Sequence, residues 1–392
     1  MARWLNNNII LISLSAFFSD LGYQSVLASL PVFMVLVLHA PVYIFGITVA
    51  ISYGLGSVLG YLGGRLSDRY GRRRISIIGN ALIPLLSLTG LSSGFYEAAA
   101  LFSSGWLARN FRTPARRALL SDEITPKSRG RVFGFLNALD VGGGALSIIL
   151  LILLTYLKVE LRYIILITII PISFATILLL FVKERRRVHH KRERTLKAEP
   201  YRNNRSNNGA YIGVIIATSL FGFSLYSLGF PILTIAQSTS SNALGFGSYL
   251  IFLIASALFG FYIGSRRLRI INTLGILGYI LSAAGTLLLA LSYLYGLGAV
   301  AMYISILIIG MAVGTIDTLE PALITQLVPR AQVGKGMGSI TAARGLGLFV
   351  GNIIMGVLYY YSPFYSYSYA TIVALAGGAI LLISGSAFKG NI

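Results

Sequence analysis

The chain contains no cysteine, which excludes disulfides, thiolate metal sites and cysteine nucleophiles. Charge is scarce too: 11% of its 392 residues are Asp, Glu, Lys or Arg, and only 12 are acidic. A water-soluble globule carries about a quarter of its residues charged, so this chain cannot cover its own surface in water. Of its three histidines, two are adjacent, His189 and His190, in a basic stretch with no third ligand beside them. No metal site is expected from such a pair. Neither Gly-x-x-x-x-Gly-Lys-(Ser/Thr) nor His-Glu-x-x-His occurs. That argues against ATP hydrolysis and against a membrane enzyme, and no cofactor is indicated.

What the chain does have is apolar length. Hydrophobic residues make up 56%, and the mean hydropathy is +0.78, values that belong in a bilayer. Tyr211 to Ser265, Ile270 to Ile316 and Gly345 to Phe388 hold no charged residue. Each run is about twice the ~20 residues of one membrane span, so each must fold back on itself. Turn signals lie near their middles: "STSSNALG" at 238–245, "SYLYGLG" at 292–298 and "YSPFYSYSY" at 361–369. Near the start, Asp20 is the only charge between Trp4 and Gly64, and "LHAPV" at 38–42 marks the turn.

Twelve spans result: 8–37, 42–64, 75–94, 97–118, 131–157, 161–182, 211–237, 243–265, 271–293, 298–320, 334–360 and 367–388. The net charge of +20 comes from cations gathered in alternate connections, a pattern of topology rather than of nucleic-acid binding. One side holds Arg65, Arg69 and Arg72–Arg74, then Arg116, Arg117, Lys127, Arg129 and Arg131. It also holds a central basic segment, then Arg266, Arg267 and Arg269, then Arg330 and Lys335. The other side holds Lys158 and Arg162. A multi-pass protein of the cell membrane with both termini cytoplasmic follows. Its expected units are residues 1–182, a basic linker 183–210 that tethers the halves and can touch anionic lipid headgroups, and residues 211–392.

The halves repeat. "YLGGRLSDRYGRRRISIIG" (61–79) has an eroded counterpart in "YIGSRRLRIINTLGILG" (262–278). "ALLSDEITPKSRGRVFGFLNALDVGGG" (118–144) matches "ALITQLVPRAQVGKGMGSITAARGLGL" (322–348), aligning Pro126 with Pro329, Gly130 with Gly334 and Gly134 with Gly338. Two matches in one order support an internal duplication.

Twelve spans as six plus six, with a charged loop after span 2, resemble the major facilitator superfamily. Gly64, Leu66, Ser67, Asp68, Arg69, Gly71, Arg72 and Arg73 match, in register, that family's loop signature Gly-x-Leu-(Ala/Ser)-Asp-Arg-x-Gly-Arg-(Arg/Lys). "RNFRTPARRALLSDEITPKSRGRVFG" at 109–134 is similar to bacterial and archaeal drug-exporter-like members. The cysteine-free, tyrosine- and isoleucine-rich composition fits an archaeal source. Two features depart from the pattern: "DVGGGALSI" (140–148) lacks the proline of the antiporter motif, and "SRRLR" (265–269) has lost its aspartate. The resemblance implies an all-α fold of two pseudo-symmetric six-helix bundles, with spans 1, 4, 7 and 10 lining a central cavity. In the loop, Gly64 and Gly71 permit a tight turn and Asp68 accepts from arginines or a helix N-terminus. The cluster acts either as a latch between halves or only as a topological anchor.

Ionisable groups inside spans cost about 3 kcal/mol or more, so each is a site candidate. They are Asp20 in span 1, Arg109 and Arg112 in span 4, Asp140 in span 5, Asp317 and Glu320 in span 10, and Arg344 in span 11. Arg109 with Arg112, and Asp317 with Glu320, share the i, i+3 spacing of one helix face. Three readings stay open: an ionic gate between the two pairs, neutralisation of Asp140 by Arg109 or Arg112, or snorkelling of Arg112 and Glu320. Asp20, with no cation near it in span 1, is either a proton carrier or an aspartate bonded to Ser19, Tyr23 or Gln24. Hydroxyls and tyrosines, among them Ser224, Tyr226, Ser227 and Tyr53, suit an amphipathic or neutral solute. The expected function is secondary transport of a small molecule, proton-coupled and outward, by a monomer. A lipid flippase and an uptake symporter are the alternatives.

Overall fold

The computed structural model describes residues 5–124, 128–183, 205–224, 226–266, 268–327 and 333–386. Most of the linker with His189 and His190, and Pro126, Pro329, Arg330 and Arg267, lie outside them. Among the described residues the structure is helical with no strand. The first six helices are α1 (Asn7–Val37), α2 (Val42–Tyr70), α3 (Arg72–Leu91), α4 (Phe95–Ser121), α5 (Arg129–Tyr156) and α6 (Leu161–Leu180). The second six are α7 in two pieces (Arg205–Ser224 and Gly229–Thr239), α8 (Asn242–Gly264), α9 (Ile270–Leu294), α10 (Gly298–Leu327), α11 (Val333–Tyr361) and α12 (Pro363–Ser386).

Eleven of these are long and apolar enough to cross a membrane. The other is α4, which is long enough at 27 residues but carries Glu97, Arg109, Arg112, Arg116 and Arg117. Packing answers for the charge, because Gly56 and Gly63 of α2 bring the backbones close. A Cβ on Gly63 would lie 2.0 Å from the Phe111 carbonyl. The "GLGSVLGYLGG" stripe is thus a packing face, as small residues allow in lipid.

The turns carry the chemistry the sequence assigns to them. His39, Ser240, Gly296 and Gly298 all have positive φ, from 53° to 83°, and Pro363 opens α12, where its missing N–H costs nothing. One boundary differs from expectation. Helix α2 runs on through the charged motif to Tyr70, so Gly64 sits inside a helix and makes no turn. Gly71 alone turns the chain, with φ 101°.

Each half has its own core. Ile9, Ile12, Leu119 and Leu179 pack together in the first, and Phe221, Leu274, Leu323 and Leu381 in the second. The halves meet chiefly through α2 with α11 and α5 with α8. Advancing each label by six converts the first pair into α8 with α5, so the two interfaces exchange and the halves are related by a pseudo-twofold.

These cross-half contacts concentrate on one side of the molecule, the side of the 38–41 and 362 turns, called here the tyrosine face. Phe45 packs against Phe230 at 5.2 Å between ring centroids, and Tyr43 against Tyr360 at 5.7 Å. A Cβ on Gly46 would lie 2.6 Å from the Asn352 carbonyl and 2.8 Å from the Gly356 Cα. Toward the opposite, basic face the interfaces part: Val141 is 38% exposed, and a Cβ on Gly338, two turns before Gly345 on the same face of α11, would meet nothing within 4 Å. The conformation is closed at the tyrosine face and open at the basic face.

Candidate functional site

Where the halves face each other, a cavity of about 310 Å³ is lined by Tyr53, Tyr226, Tyr249, Ser224, Ser227 and Asp317, among others. Its floor is the interruption of α7 between Ser224 and Gly229. Unwinding leaves backbone groups without helical partners. Asn352 of α11 supplies one, its Oδ1 accepting from the Ser227 N–H at 2.9 Å. The Ser227 hydroxyl accepts from the Gly229 N–H at 3.2 Å. Gly229 is required here, because a Cβ would meet the Phe45 ring at 2.3 Å. Across the cavity roof, one polar bond joins the halves among the described residues, the Tyr249 hydroxyl donating to Gln24 Oε1 at 2.8 Å.

The first half holds a buried charge cluster. Arg109 donates through Nη2 to the Tyr23 hydroxyl at 3.1 Å, and its guanidinium stacks over the Tyr23 and Trp106 rings at 5.0 and 4.8 Å. Arg116 pairs with Asp140 at 3.5 Å. Arg112 is 1% exposed and Asp20 is likewise buried, its Oδ1 receiving no hydrogen bond from protein. Asp140, Arg116 and Arg109 are the charges that act on Asp20. Helix α4 therefore brings to Asp20 the cations that span 1 itself lacks. Its neighbour Ser19 turns away, donating to Asn80 at 3.2 Å.

The second half holds the opposite balance. Arg344 reaches Asp317 at 3.0 Å and also pairs with Glu320. Glu320 is 1% exposed. It further accepts from the Tyr279 hydroxyl at 2.7 Å and from Thr218 at 3.5 Å, while Tyr279 stacks on Phe221 at 4.4 Å.

Every ion pair among the described residues stays within one half. In this conformation the two acids of α10 are held by Arg344 and not by Arg109 or Arg112. Asp140 is neutralised by Arg116 and not by Arg109 or Arg112; Arg116, at the end of the expected span 97–118 and counted with the loop cations, is carried inward by α4. Neither Arg112 nor Glu320 snorkels, since both are fully enclosed. The loop cluster also ties elements of one half. Arg72 bonds the Ala118 carbonyl at 3.0 Å, pairs with Asp122, and lies 3.4 Å from Asp68. Arg73 donates to the Leu180 carbonyl at 2.6 Å, and Arg69 stacks on Tyr70.

The sequence pattern of the Major Facilitator Superfamily matches residues 12–292. The chain belongs to this superfamily.

A superfamily relative, an uncharacterised MFS-type transporter of Methanocaldococcus jannaschii, is 29% identical over 187 residues. That match covers 47% of this chain and 46% of the relative, so the chain aligns with about half the length of that protein. Solved superfamily structures share the fold. A POT family transporter superposes with a TM-score of 0.79 at 14% identity, covering 97% of this chain and 96% of that one. A D-xylose-proton symporter gives 0.74 at 16%, covering 96% of each chain. A nucleoside transporter gives 0.74 at 15%, covering 98% of this chain and all of that one. Within this superfamily member, sequence reasoning missed Asn352, Tyr249, Tyr279 and the inward turn of Arg116. Asn352 gave a signal, as the one amide in an otherwise apolar stretch of α11. The others gave none, because tyrosines are abundant throughout.

Proposed function

We propose that this protein is a secondary active transporter that carries a small amphipathic solute across the cytoplasmic membrane by alternating access. The observation that carries the reading is the cavity between pseudo-symmetric halves, with aromatic and hydroxyl walls and Asp317 as its one charged lining group. In this reading the basic face and both termini are cytoplasmic, residues 1–182 and 211–392 are the moving units, and 183–210 is their tether. The protein works as a monomer among membrane lipids.

Asp20 is the proton site. It is enclosed, lacks a hydrogen-bond donor on Oδ1, and shares its surroundings with arginines that respond to its charge. Closure of the basic mouth moves α4 toward α10. Asp317, 58% exposed at its side chain, is the acid placed to exchange Arg344 for an arginine of α4, and that exchange is the ionic gate. The Asp68–Arg72–Asp122 cluster latches the same mouth. Export is the direction that the likeness of residues 109–134 to drug-exporter-like members supports. Uptake together with protons is a second reading, favoured by the excess of arginine over acid around Asp20.

The test is solute movement in proteoliposomes under an imposed pH gradient, screened over dyes, sugars, nucleosides and organic acids. Asp20→Asn is expected to abolish gradient-driven accumulation while solute exchange at zero gradient persists. Full accumulation by that variant would remove the proton role from Asp20.

A further inference from the structure

Arg109, Arg112 and Arg116 follow one another at intervals of three and four residues, so they line one face of α4. Arg112 and Arg116 are both at least nine-tenths buried, at 1% and 5% exposure. The groups facing them can be named from each packed helix. Helix α1 contributes Asp20 and Tyr23, and α5 contributes Asp140. Helix α3 offers Asn80, already bonded to Ser19 and Thr176. Tyr53 and Tyr249 lie within reach of Arg109. Three guanidinium groups thus meet two carboxylates, leaving one positive charge over.

The hydrogen bonds show the same excess. Several arginines in the chain leave Nε unmet, so Nε discriminates nothing. Nη1 of Arg112 and Nη1 of Arg116 do discriminate, since they too are buried with no protein acceptor. Arg344 in the other half, by contrast, directs both Nη groups to carboxylates. A buried ion without a partner costs several kcal/mol. Asp20 Oδ1, unmet in the same cluster, becomes a donor once protonated.

We infer that the arginine face of α4 and Asp20 form an anion site in the first half. Its ligand is a monovalent anion, either a free inorganic ion or the carboxylate of the transported solute; the latter rests on the transport reading above. Protonation of Asp20 raises the local positive charge and turns a repelling oxygen into a donor. By reciprocity, proton and anion each strengthen the other's binding.

The experiment is thermal unfolding of the purified full-length protein, titrated with chloride, benzoate or benzamide at an ionic strength held with sulfate. Saturable stabilisation by both chloride and benzoate assigns an inorganic anion. Stabilisation by benzoate alone assigns a solute carboxylate. Equal stabilisation by benzamide, or none by any probe, overturns the site. Arg112→Gln is expected to weaken anion binding about tenfold or more, and Asp20→Asn to tighten it about tenfold, the range of ordinary site-to-site coupling. The Asp20 variant tightens binding, so it tests the idea even if Arg112→Gln fails to fold. Weaker binding in Asp20→Asn also overturns it. Anion binding without solute transport in proteoliposomes would leave this site standing and remove the transport reading.

Discussion

Replacing Arg344 with methionine isolates what its ion pairs contribute. Glu320 is 1% exposed and depends on Arg344 for its only counter-ion among the described residues. Removing one partner of a buried pair costs about 3–5 kcal/mol, because the remaining charge is stranded. The Tyr279 hydroxyl still donates to Glu320 at 2.7 Å, and Asp317 is exposed enough to be hydrated. Both considerations place Arg344→Met near the lower end, about 3 kcal/mol. Adding Glu320→Gln removes the stranded charge while its amide oxygen continues to accept from Tyr279. The double variant should then lie about 1 kcal/mol below the parent, the worth of an ordinary buried hydrogen bond. Reversible unfolding in mixed detergent micelles measures the parent and both variants, and the second change should restore about 2 kcal/mol of what the first removes. If Arg344→Met costs less than about 1 kcal/mol, or the second change deepens the loss, the pair is not what stabilises the second half.

Other expectations follow from single positions. Gly71→Ala places a side chain at φ 101°, a strain on the order of 1–3 kcal/mol, and its unfolding midpoint should fall; an unchanged midpoint refutes the turn argument. Asn352→Ala leaves the Ser227 N–H unmet at the α7 break, which should cost about 1–3 kcal/mol and weaken solute binding, both readable in one ligand-dependent melt. Gly46→Val cannot keep α2 against the Asn352 carbonyl, so the tyrosine face should open and the basic face close. The chain has no cysteine of its own, so Val141→Cys is a clean reporter, and its labelling by a polar maleimide should drop in the Gly46→Val background.

The fold was legible because bilayers impose a period. Charge-free runs of about twice a span announce hairpins, and turn residues such as Ser240 and Gly296 sit where those runs must reverse. Helix α4 was legible from the loops on either side of it, though its own arginines depress its hydropathy. The break in α7 was not, because Leu225–Leu228 is as apolar as its flanks; only its contacts with Asn352 and Phe45 show it. The candidate site was legible as a set of charges but not as a pairing. Helix positions give faces, and the rotation of α11 toward α10, which brings Arg344 to both acids, is set by packing at a distance from them. Arg116 shows the same limit: it lies at the end of the expected span 97–118 and counts with the loop cations, and only packing turns it inward to Asp140.

The contact of Gly46 with Gly356 has a mechanical consequence. With no side chains between them, the two backbones rest on each other like a fulcrum, and α2 is a rigid arm from there to Gly71. That arm is roughly 37 Å long at 1.5 Å per residue, so a swing of about 10° carries its tip about 6 Å. The greatest travel falls on Asp68 and Arg69 and, just past Gly71, on Arg72 and Arg73, so a small angular change brings those charges to the second half or takes them away from it.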